Sequence, residues 1–285
     1  MIVSVVDNGI EFSQPMSEII DTPLPEADAQ AGTQIDLHVH TRYRDRAYAS
    51  EDVHHGPRES IAAARARGLG GLAITGHDTF EGLQEAVNAG QEHGVLVVTG
   101  AEISTFSMQR GRPSFGHIVG LFPTDVALDF ERRGQRPPRL RSPQRIVDWI
   151  SEHGGVASAA HAKPEGGVIS LSYKQVRKLR GLHAIETHNK NGENPELAEI
   201  ARQRGIASVG GSDSHHPDSV GTVRTLVLGV CNTADDVLEA IKSGRVLGIA
   251  DSSIPPELHG SRTLREHLHG RLARVGSKIT ARRQH

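Results

Sequence analysis

Short apolar runs alternate with helical runs along most of this chain, and this alternation limits the folds it can adopt. The predicted strands are IDLHVH (35–40), GLAITGH (71–77), VLVVTGAEIS (95–104), FGHIVGL (115–121), GVASAAH (155–161), HAIETHN (183–189), IASVGGSD (206–213) and TLVLGV (225–230). Predicted helices lie between most of them, at 57–68, 81–94, 142–155, 172–181, 194–205 and 234–244. Repeated strand–helix units imply parallel strands with right-handed crossovers. The number of units favours a closed α/β barrel over an open sheet.

Length and composition set the domain organisation. A chain of 285 residues fits one α/β barrel with flanking segments. The predicted barrel domain spans 34–256, after an acidic extension at 1–33 and before a basic tail at 257–285.

Charge and cysteine content exclude several classes of partner. The formal net charge is -2, so we expect no stable binding to duplex nucleic acid and none to an anionic membrane. No lysine or arginine precedes Arg42 in the sequence. No apolar run approaches the length of a membrane span. The single cysteine, Cys231, excludes an internal disulfide and suits the cytoplasm, where we expect the protein. The sequence does not indicate an oligomeric state.

Histidine and acidic residues fall at the ends of the predicted strands. They are His38, His40, His77, Glu102, His117, His161, Glu186, His188, Asp213 and His215. In a parallel barrel the strand C-termini meet at one rim, where active sites lie. Burying such a cluster is costly unless divalent cations coordinate it. A single histidine of this kind is more often a hydrogen-bonded structural residue, but its recurrence at successive strands favours a metal site.

The segment GGSDSHH illustrates the pattern. Asp213 and His215 are separated by one residue, as are His38 and His40. Residues i and i+2 of an extended segment point to the same face, so each pair can reach one metal cluster. The preceding glycines allow close backbone approach.

These motifs together resemble a known family. DLHVH (36–40), AITGHDT (73–79), GAEIS (100–104), GHIVGL (116–121), AAHAKP (159–164) and GSDSH (211–215) are similar, in this order, to motifs of the PHP (polymerase and histidinol phosphatase) family of metal-dependent phosphoesterases. The resemblance covers 34–250. It implies a distorted (β/α)7 TIM-like barrel with a metal site at the C-terminal ends of the strands.

The resemblance also implies two or three divalent metal ions, with zinc, manganese, iron or magnesium as candidates. The implied ligands are His38, His40, Asp45, His77, Glu102, His117, His161, Asp213 and His215. Two positions depart from the family pattern. Asp45 lacks the following glycine, so Asp52 or Glu51 is an alternative ligand, and Gly76 replaces the aspartate that usually precedes the histidine of the second motif.

The implied reaction is hydrolysis of a phosphomonoester or phosphodiester by a metal-bridging hydroxide. The substrate would be a nucleotide or a small phosphorylated metabolite, and histidinol phosphate is an alternative. Glu102, His215, His188 and Lys163 are the predicted catalytic residues, and Arg44 and Asn189 are further candidates for contacts with phosphate.

Two other functions remain open. A metal-dependent amidohydrolase would also use an HxH motif, but it usually carries a carboxylated lysine on a middle strand, and no predicted strand ends in lysine. The other alternative is a protein that binds a metal or a nucleotide without catalysis. The complete set of implied ligands disfavours it, because a site without activity would be free to lose some of them.

The arginine-rich segment 131–145 follows the fourth predicted strand, and we therefore expect it on the metal side of the barrel. The forked guanidinium group of arginine suits phosphate oxygens. For most of the six arginines in this segment, however, we expect only a solvated loop position. Arg139 and Arg141 are the ones to test for substrate contact.

Overall fold

The computed structural model describes residues 32–44, 48, 53–109, 111–167, 169–190 and 192–250. Asp45, Asp52, the basic tail and nearly all of the predicted extension lie outside these residues. The domain limits at 33/34 and 256/257 therefore stay predictions.

Strands and helices follow each other much as predicted. The strands are β1 (Thr33–Val39), β2 (Gly71–His77), β3 (Leu96–Gln109), β4 (Arg112–Phe122), β5 (Val156–Ala159), β6 (Ala184–Asn189), β7 (Gly192–Glu193), β8 (Ala207–Gly210), β9 (Val223–Val227) and β10 (Val246–Ala250). The helices are α1 (Pro57–Ala66), α2 (Leu83–His93), α3 (Thr124–Arg132), α4 (Pro143–Glu152), α5 (Tyr173–Lys178), α6 (Pro195–Arg204) and α7 (Ala234–Lys242). Capping side chains open several helices, such as Ser142 before Pro143 and Asn194 before Pro195.

The sheet is a nearly closed barrel, which confirms the predicted distorted α/β barrel. The strands of the barrel neighbour each other in the order β1, β2, β3, β4, β5, β6, β8. A parallel bridge between Val39 and Ser214 joins the end of β1 to the segment after β8. There the His40 amide donates to the Ser214 carbonyl at 2.9 Å.

Two of the predicted strands contradict the expectation of parallel neighbours. β4 is antiparallel to both β3 and β5, and β9 is antiparallel to β1. The reason for the first is local, because β3 and β4 form one long hairpin without an intervening helix. His117 consequently lies in the middle of β4, paired with Ser104, and not at a strand end.

The core has two parts. Apolar helix faces pack on the outside of the sheet, and a second cluster of mostly small or branched residues fills the barrel interior. Helix α7 adds Val237, Leu238 and Ile241 to the interior cluster, near Leu121 at the end of β4 and Val156 at the start of β5. This end of the barrel is thus filled by apolar groups, and the polar site lies at the opposite end.

Helix α3 was not predicted, because proline and arginine dominate the sequence around it. It buries Ala127 and Phe130 and returns the chain from the end of β4 to the polar rim, where Glu131 accepts hydrogen bonds from the Gly82 and Gln84 amides. No helix within the described ranges has both the length and the apolar character that crossing a membrane requires.

Candidate metal centre

The structure brings together all of the predicted metal ligands except Asp45, which lies outside the described residues. His38 and His40 come from the end of β1, His77 from the end of β2, Glu102 from β3, His117 from β4, His161 from the turn after β5, and Asp213 and His215 from the segment after β8. Ligand atoms of these residues form three overlapping groups, each with its atoms within 4.8 Å of one another: His40–His77–His215, His38–His40–Glu102–Asp213 and His77–Glu102–His117.

Glu102 lies at the centre of the cluster and is fully buried. Its Oε1 is 2.8 Å from Nε2 of His161 and 2.9 Å from Nδ1 of His117. Its Oε2 is 2.9 Å from Nδ1 of His77 and 3.4 Å from Nε2 of His40. Burial raises the pKa of the carboxyl, but the neighbouring histidines outweigh it and hold the pKa well below the ordinary value. The two oxygens of one carboxylate therefore face two different pairs of imidazoles.

A second carboxylate orients His38. Glu186 Oε1 accepts from Nδ1 of His38 at 3.0 Å, and its Oε2 accepts from the backbone amide of His161 at 2.6 Å. With Nδ1 engaged, Nε2 of His38 faces the cluster, 3.1 Å from Nε2 of His40. Burial lowers the pKa of His38, but Glu102 and Glu186 outweigh burial and raise it well above the ordinary value. This pocket therefore favours a cation.

His40 has the opposite electrostatic environment. Burial, followed by the nearby rings of His77 and His215, lowers its pKa well below the ordinary value. Burial likewise lowers the pKa of His117. Neutral imidazoles are the form that binds metals, so both shifts favour coordination.

A chain of hydrogen bonds fixes the tautomer of His117. Asp78 accepts from the Ser104 hydroxyl at 2.7 Å, so Ser104 Oγ accepts in turn from the Tyr48 hydroxyl at 2.5 Å. The Tyr48 oxygen then accepts from Nε2 of His117 at 3.0 Å. Nδ1 of His117 is left as a lone pair directed towards Glu102. The Tyr48 ring also stacks on His77, with centroids 3.8 Å apart and planes inclined by 6°.

Asp213 and His215 complete the rim. His215 donates from Nδ1 to the Asp213 carbonyl at 2.9 Å, which leaves its Nε2 as an acceptor. Oδ1 of Asp213 is 3.1 Å from Nε2 of His40, while its Oδ2 accepts from the Lys190 ammonium at 2.5 Å. The next residue, His216, is 70% exposed and faces Asp218.

The donor set fits divalent metals. Oε2 of Glu102 and Nδ1 of His117 are buried and form no hydrogen bond with any described residue, although they lie at the centre of the cluster. Buried polar atoms of this kind are costly unless something coordinates them. All the donors are nitrogen or oxygen, which suits hard and borderline divalent ions.

At two positions near the site, neighbouring atoms lie so close to the backbone that only glycine fits. A Cβ on Gly211 would lie 2.4 Å from Cβ of His38 and 2.9 Å from Oε1 of Glu186. A Cβ on Gly76 would lie 2.8 Å from the Tyr43 carbonyl oxygen, so the aspartate usual at this place in the family would not fit. Support for His77 comes instead from the stacked ring of Tyr48.

The remaining candidates are two predicted catalytic residues, His188 and Lys163, and two candidates for contacts with phosphate, Arg44 and Asn189. The His188 ring contacts Thr187 Oγ1 at 2.9 Å, and its Nδ1 is 2.7 Å from where a Cβ on Gly248 would lie. Lys163 is exposed, two residues after His161. Arg44 donates to the carbonyls of Arg42, Tyr48 and Val53, so it holds the backbone of its own loop. Asn189, the last residue of β6, is half-buried.

The arginine-rich segment reaches the rim by a route that differs from the expected one. β4 ends at the opposite end of the barrel, but α3 brings the chain back, and the Leu140 amide donates to the Ser104 carbonyl at 2.7 Å. Arg132 and Arg133 pair with Asp129 on their own helix. Arg139 and Arg141, on either side of Leu140, are exposed.

Sequence reasoning gave no role to Tyr48, Glu186 or Lys190. Glu186 was recognised only as a strand-end residue. Lys190 directly follows β6, so extending the strand-end criterion by one residue would have found it. Tyr48 lies in no strand and in no motif, and no sequence signal indicated its place in the site.

Comparisons with known proteins agree with this picture. A family described as PHP-associated matches residues 191–246. The chain is 41% identical to a phosphoribosyl 1,2-cyclic phosphate 1,2-diphosphodiesterase of Eggerthella lenta over 86 residues, which are 30% of this chain and 29% of that protein. It is 36% identical to a 3',5'-nucleoside bisphosphate phosphatase of Chromobacterium violaceum over 125 residues, 43% of this chain and 40% of that protein.

A solved structure shows the same fold. It is a two-domain protein of Bacteroides vulgatus containing a predicted PHP-like metal-dependent phosphoesterase, with a TM-score of 0.59 and 15% identity, over 80% of this chain and 67% of that one. The chain spans between 29% and 66% of the length of the curated relatives that it matches.

Proposed function

We propose that the chain is a PHP-type metal-dependent phosphoesterase, as the match to a PHP-associated family, the shared fold and the similarity to a nucleoside bisphosphate phosphatase support. Its substrate would be a nucleotide or another small phosphorylated metabolite, hydrolysed at a phosphomonoester or phosphodiester bond. The named activities of the two relatives, one on a cyclic phosphate and one on a nucleoside bisphosphate, support this class of substrate.

The position of Glu102 carries the proposal. Its oxygens face His161 and His117 on one side and His77 and His40 on the other, so two divalent ions held by these imidazoles would share this carboxylate. We propose two or three divalent ions, of zinc, manganese, iron or magnesium. The proposed ligands are His38, His40, His77, Glu102, His117, His161, Asp213 and His215, with Asp45 as the ninth.

Divalent ions held there would activate water for attack on phosphorus and offset the charge that develops on the phosphoryl oxygens. The residues around them have separate tasks. Glu186 and Tyr48 hold His38 and His117 with one ring nitrogen directed at the cluster. His215, with 18% of its side chain exposed, lies where the cluster meets solvent. This placement favours Glu102 and His215 over His188 and Lys163 for contact with the reacting groups.

Lys190 directly follows a strand and reaches the site, so the lack of a strand-end lysine no longer counts against an amidohydrolase. A carboxylated lysine would be an anion, and it would lie against the carboxylate of Asp213. In the proposed site, Glu102 would take the bridging position that such a lysine occupies. The ammonium form that pairs with Asp213 therefore favours a phosphoesterase.

Hydrolysis assays on metal-stripped protein test the function. Mn, Zn, Mg or Fe(II) would be added back with an aryl phosphate, a bis-aryl phosphate, a cyclic nucleotide, a nucleoside 3',5'-bisphosphate and histidinol phosphate as substrates. We expect metal-dependent phosphate release, and the substrate ranking would separate the nucleotide and histidinol phosphate alternatives.

Two adjacent histidines provide a matched pair of variants. His215→Ala should abolish metal-dependent release because it removes a ring that faces His40 and His77. His216→Ala should retain it because this ring is exposed and faces Asp218. No release with any metal from wild-type protein of verified metal content would refute the phosphoesterase proposal.

A further inference from the structure

Among the described side chains, Lys190 is the one lysine or arginine that reaches into the cluster. It directly follows β6, and its ammonium donates to Oδ2 of Asp213. Its side chain is 18% exposed, against 6% for Asp213 and 0% for Glu102. Lys190 therefore stands at the mouth of the cluster, between the buried ligands and solvent.

Asp213 separates the lysine from the histidines. Its Oδ1 is 3.1 Å from Nε2 of His40 and 3.7 Å from Nε2 of His38, on the metal side. Its Oδ2 is held by Lys190. A lysine ammonium carries three donors, and Asp213 engages one of them. No second described residue accepts a hydrogen bond from this ammonium, so its remaining donors can serve a group that enters from solvent.

The charge balance indicates which group that is. The carboxylates of Glu102, Asp213 and Glu186, with that of the proposed ligand Asp45, supply four negative charges, and two or three divalent ions would bring four to six positive charges. A lysine placed beside them leaves the site with an excess of positive charge in either case, and the ions repel the ammonium. An entering anion with several oxygens would bind both the metals and the ammonium and remove that excess.

We propose that Lys190 binds a non-bridging phosphate oxygen of the substrate while it remains in contact with Asp213. This role rests on the proposed phosphoesterase function and deepens it, because it names a substrate-binding residue outside the metal ligands. A compact ammonium suits one oxygen of a phosphate that the metals also hold, whereas the longer arginine fork prefers two. Dianionic monoesters should gain more from this contact than monoanionic diesters.

The test uses full-length, metal-loaded protein with Lys190→Met, Lys190→Arg and a control, Lys178→Met. Lys178 is exposed in the last turn of α5, so its replacement removes the same charge from a surface position. Binding of inorganic phosphate is measured by calorimetry, metal content by elemental analysis, and KM and kcat with an aryl phosphate and a bis-aryl phosphate.

Lys190→Met should weaken phosphate binding about 10- to 100-fold and leave metal content unchanged. KM for the aryl phosphate should rise by a similar factor, and KM for the bis-aryl phosphate by less. Lys190→Arg should recover part of the affinity, and Lys178→Met should match wild type.

Three results would overturn the role of Lys190. Phosphate affinity of Lys190→Met equal to wild type would leave the lysine as a counterion of Asp213 only. Loss of metal in Lys190→Met would make it a support for a ligand and not a phosphate contact. If the metal-loaded wild type neither binds phosphate nor hydrolyses either ester, the phosphoesterase function fails and the role of Lys190 fails with it; in the first two cases wild-type hydrolysis stands.

Discussion

The histidine cluster and the arginine-rich segment 131–145 both lie at the polar rim, yet the structure treats them in opposite ways. Each of His38, His117 and His215 has one ring nitrogen held by a neighbouring acceptor, so the other is directed at the cluster. The arginines are mostly exposed, and Arg132 and Arg133 pair with a carboxylate on their own helix. Both regions carry residue types suited to a phosphoesterase, but the histidines are buried and oriented by hydrogen bonds, whereas the arginines are mostly exposed.

Whether a side chain is already held in place affects the free energy of binding. Side chains that packing and hydrogen bonds already hold lose little conformational entropy when a metal binds, whereas an exposed arginine must be ordered by the substrate itself. Exposed ion pairs such as Arg132–Asp129 contribute at most about 1 kcal/mol and do not order the segment. We therefore expect substitutions in the cluster to have large effects and substitutions in the arginine segment to have small ones.

The largest effect is expected for Glu102→Gln. The amide keeps the shape of the side chain but loses the charge that faces both pairs of imidazoles, so kcat should fall about 100- to 1000-fold or more. Metal content should also fall, as elemental analysis of the purified variant would show. Glu152→Gln, an exposed change at the end of α4, is the matched control and should behave as wild type. Full activity of Glu102→Gln would contradict the bridging role.

Tyr48→Phe tests whether the hydrogen bond that orients His117 contributes to metal binding. The variant keeps the ring that stacks on His77 and removes the hydroxyl that links His117 to Ser104. Loss of such a supporting contact typically lowers metal affinity about 10- to 100-fold. Competition with a chelating dye measures that affinity. An unchanged affinity would show that packing alone orients His117.

The sequence predicted the cluster better than it predicted the fold details. His38, Glu102 and Asp213 could be found because strand ends in a barrel converge, a rule that needs no knowledge of the partners. The antiparallel β4 and helix α3 could not, since periodicity reports the burial of a segment but not the direction of its neighbours. Tyr48 and the role of Lys190 depend on contacts between residues far apart in the chain, which a local pattern does not contain.

Gly211→Ala tests the close approach behind His38. A Cβ there would lie 2.4 Å from Cβ of His38, so the backbone must shift, and we expect a loss of about 1–3 kcal/mol in the free energy of unfolding. Urea denaturation measures this loss. Gly167→Ala is the matched control, because its nearest contact would be 3.8 Å away, at Ser170. Equal stability of the two variants would mean that the segment after β8 can move away from β1 at little cost.

The smallest effects are expected for Arg139→Ala and Arg141→Ala. Both side chains are exposed at the rim, and the Arg141 carbonyl is held by the Phe106 amide while its side chain faces solvent. An exposed arginine contributes about 0–1 kcal/mol to binding an anion, so KM for an aryl phosphate should rise less than about fivefold and kcat should not change. Steady-state kinetics at low and high salt measures both constants. A rise in KM comparable to that of Lys190→Met would contradict the contrast between the two regions. It would mean that the arginine segment binds a substrate phosphate as tightly as the lysine at the cluster does.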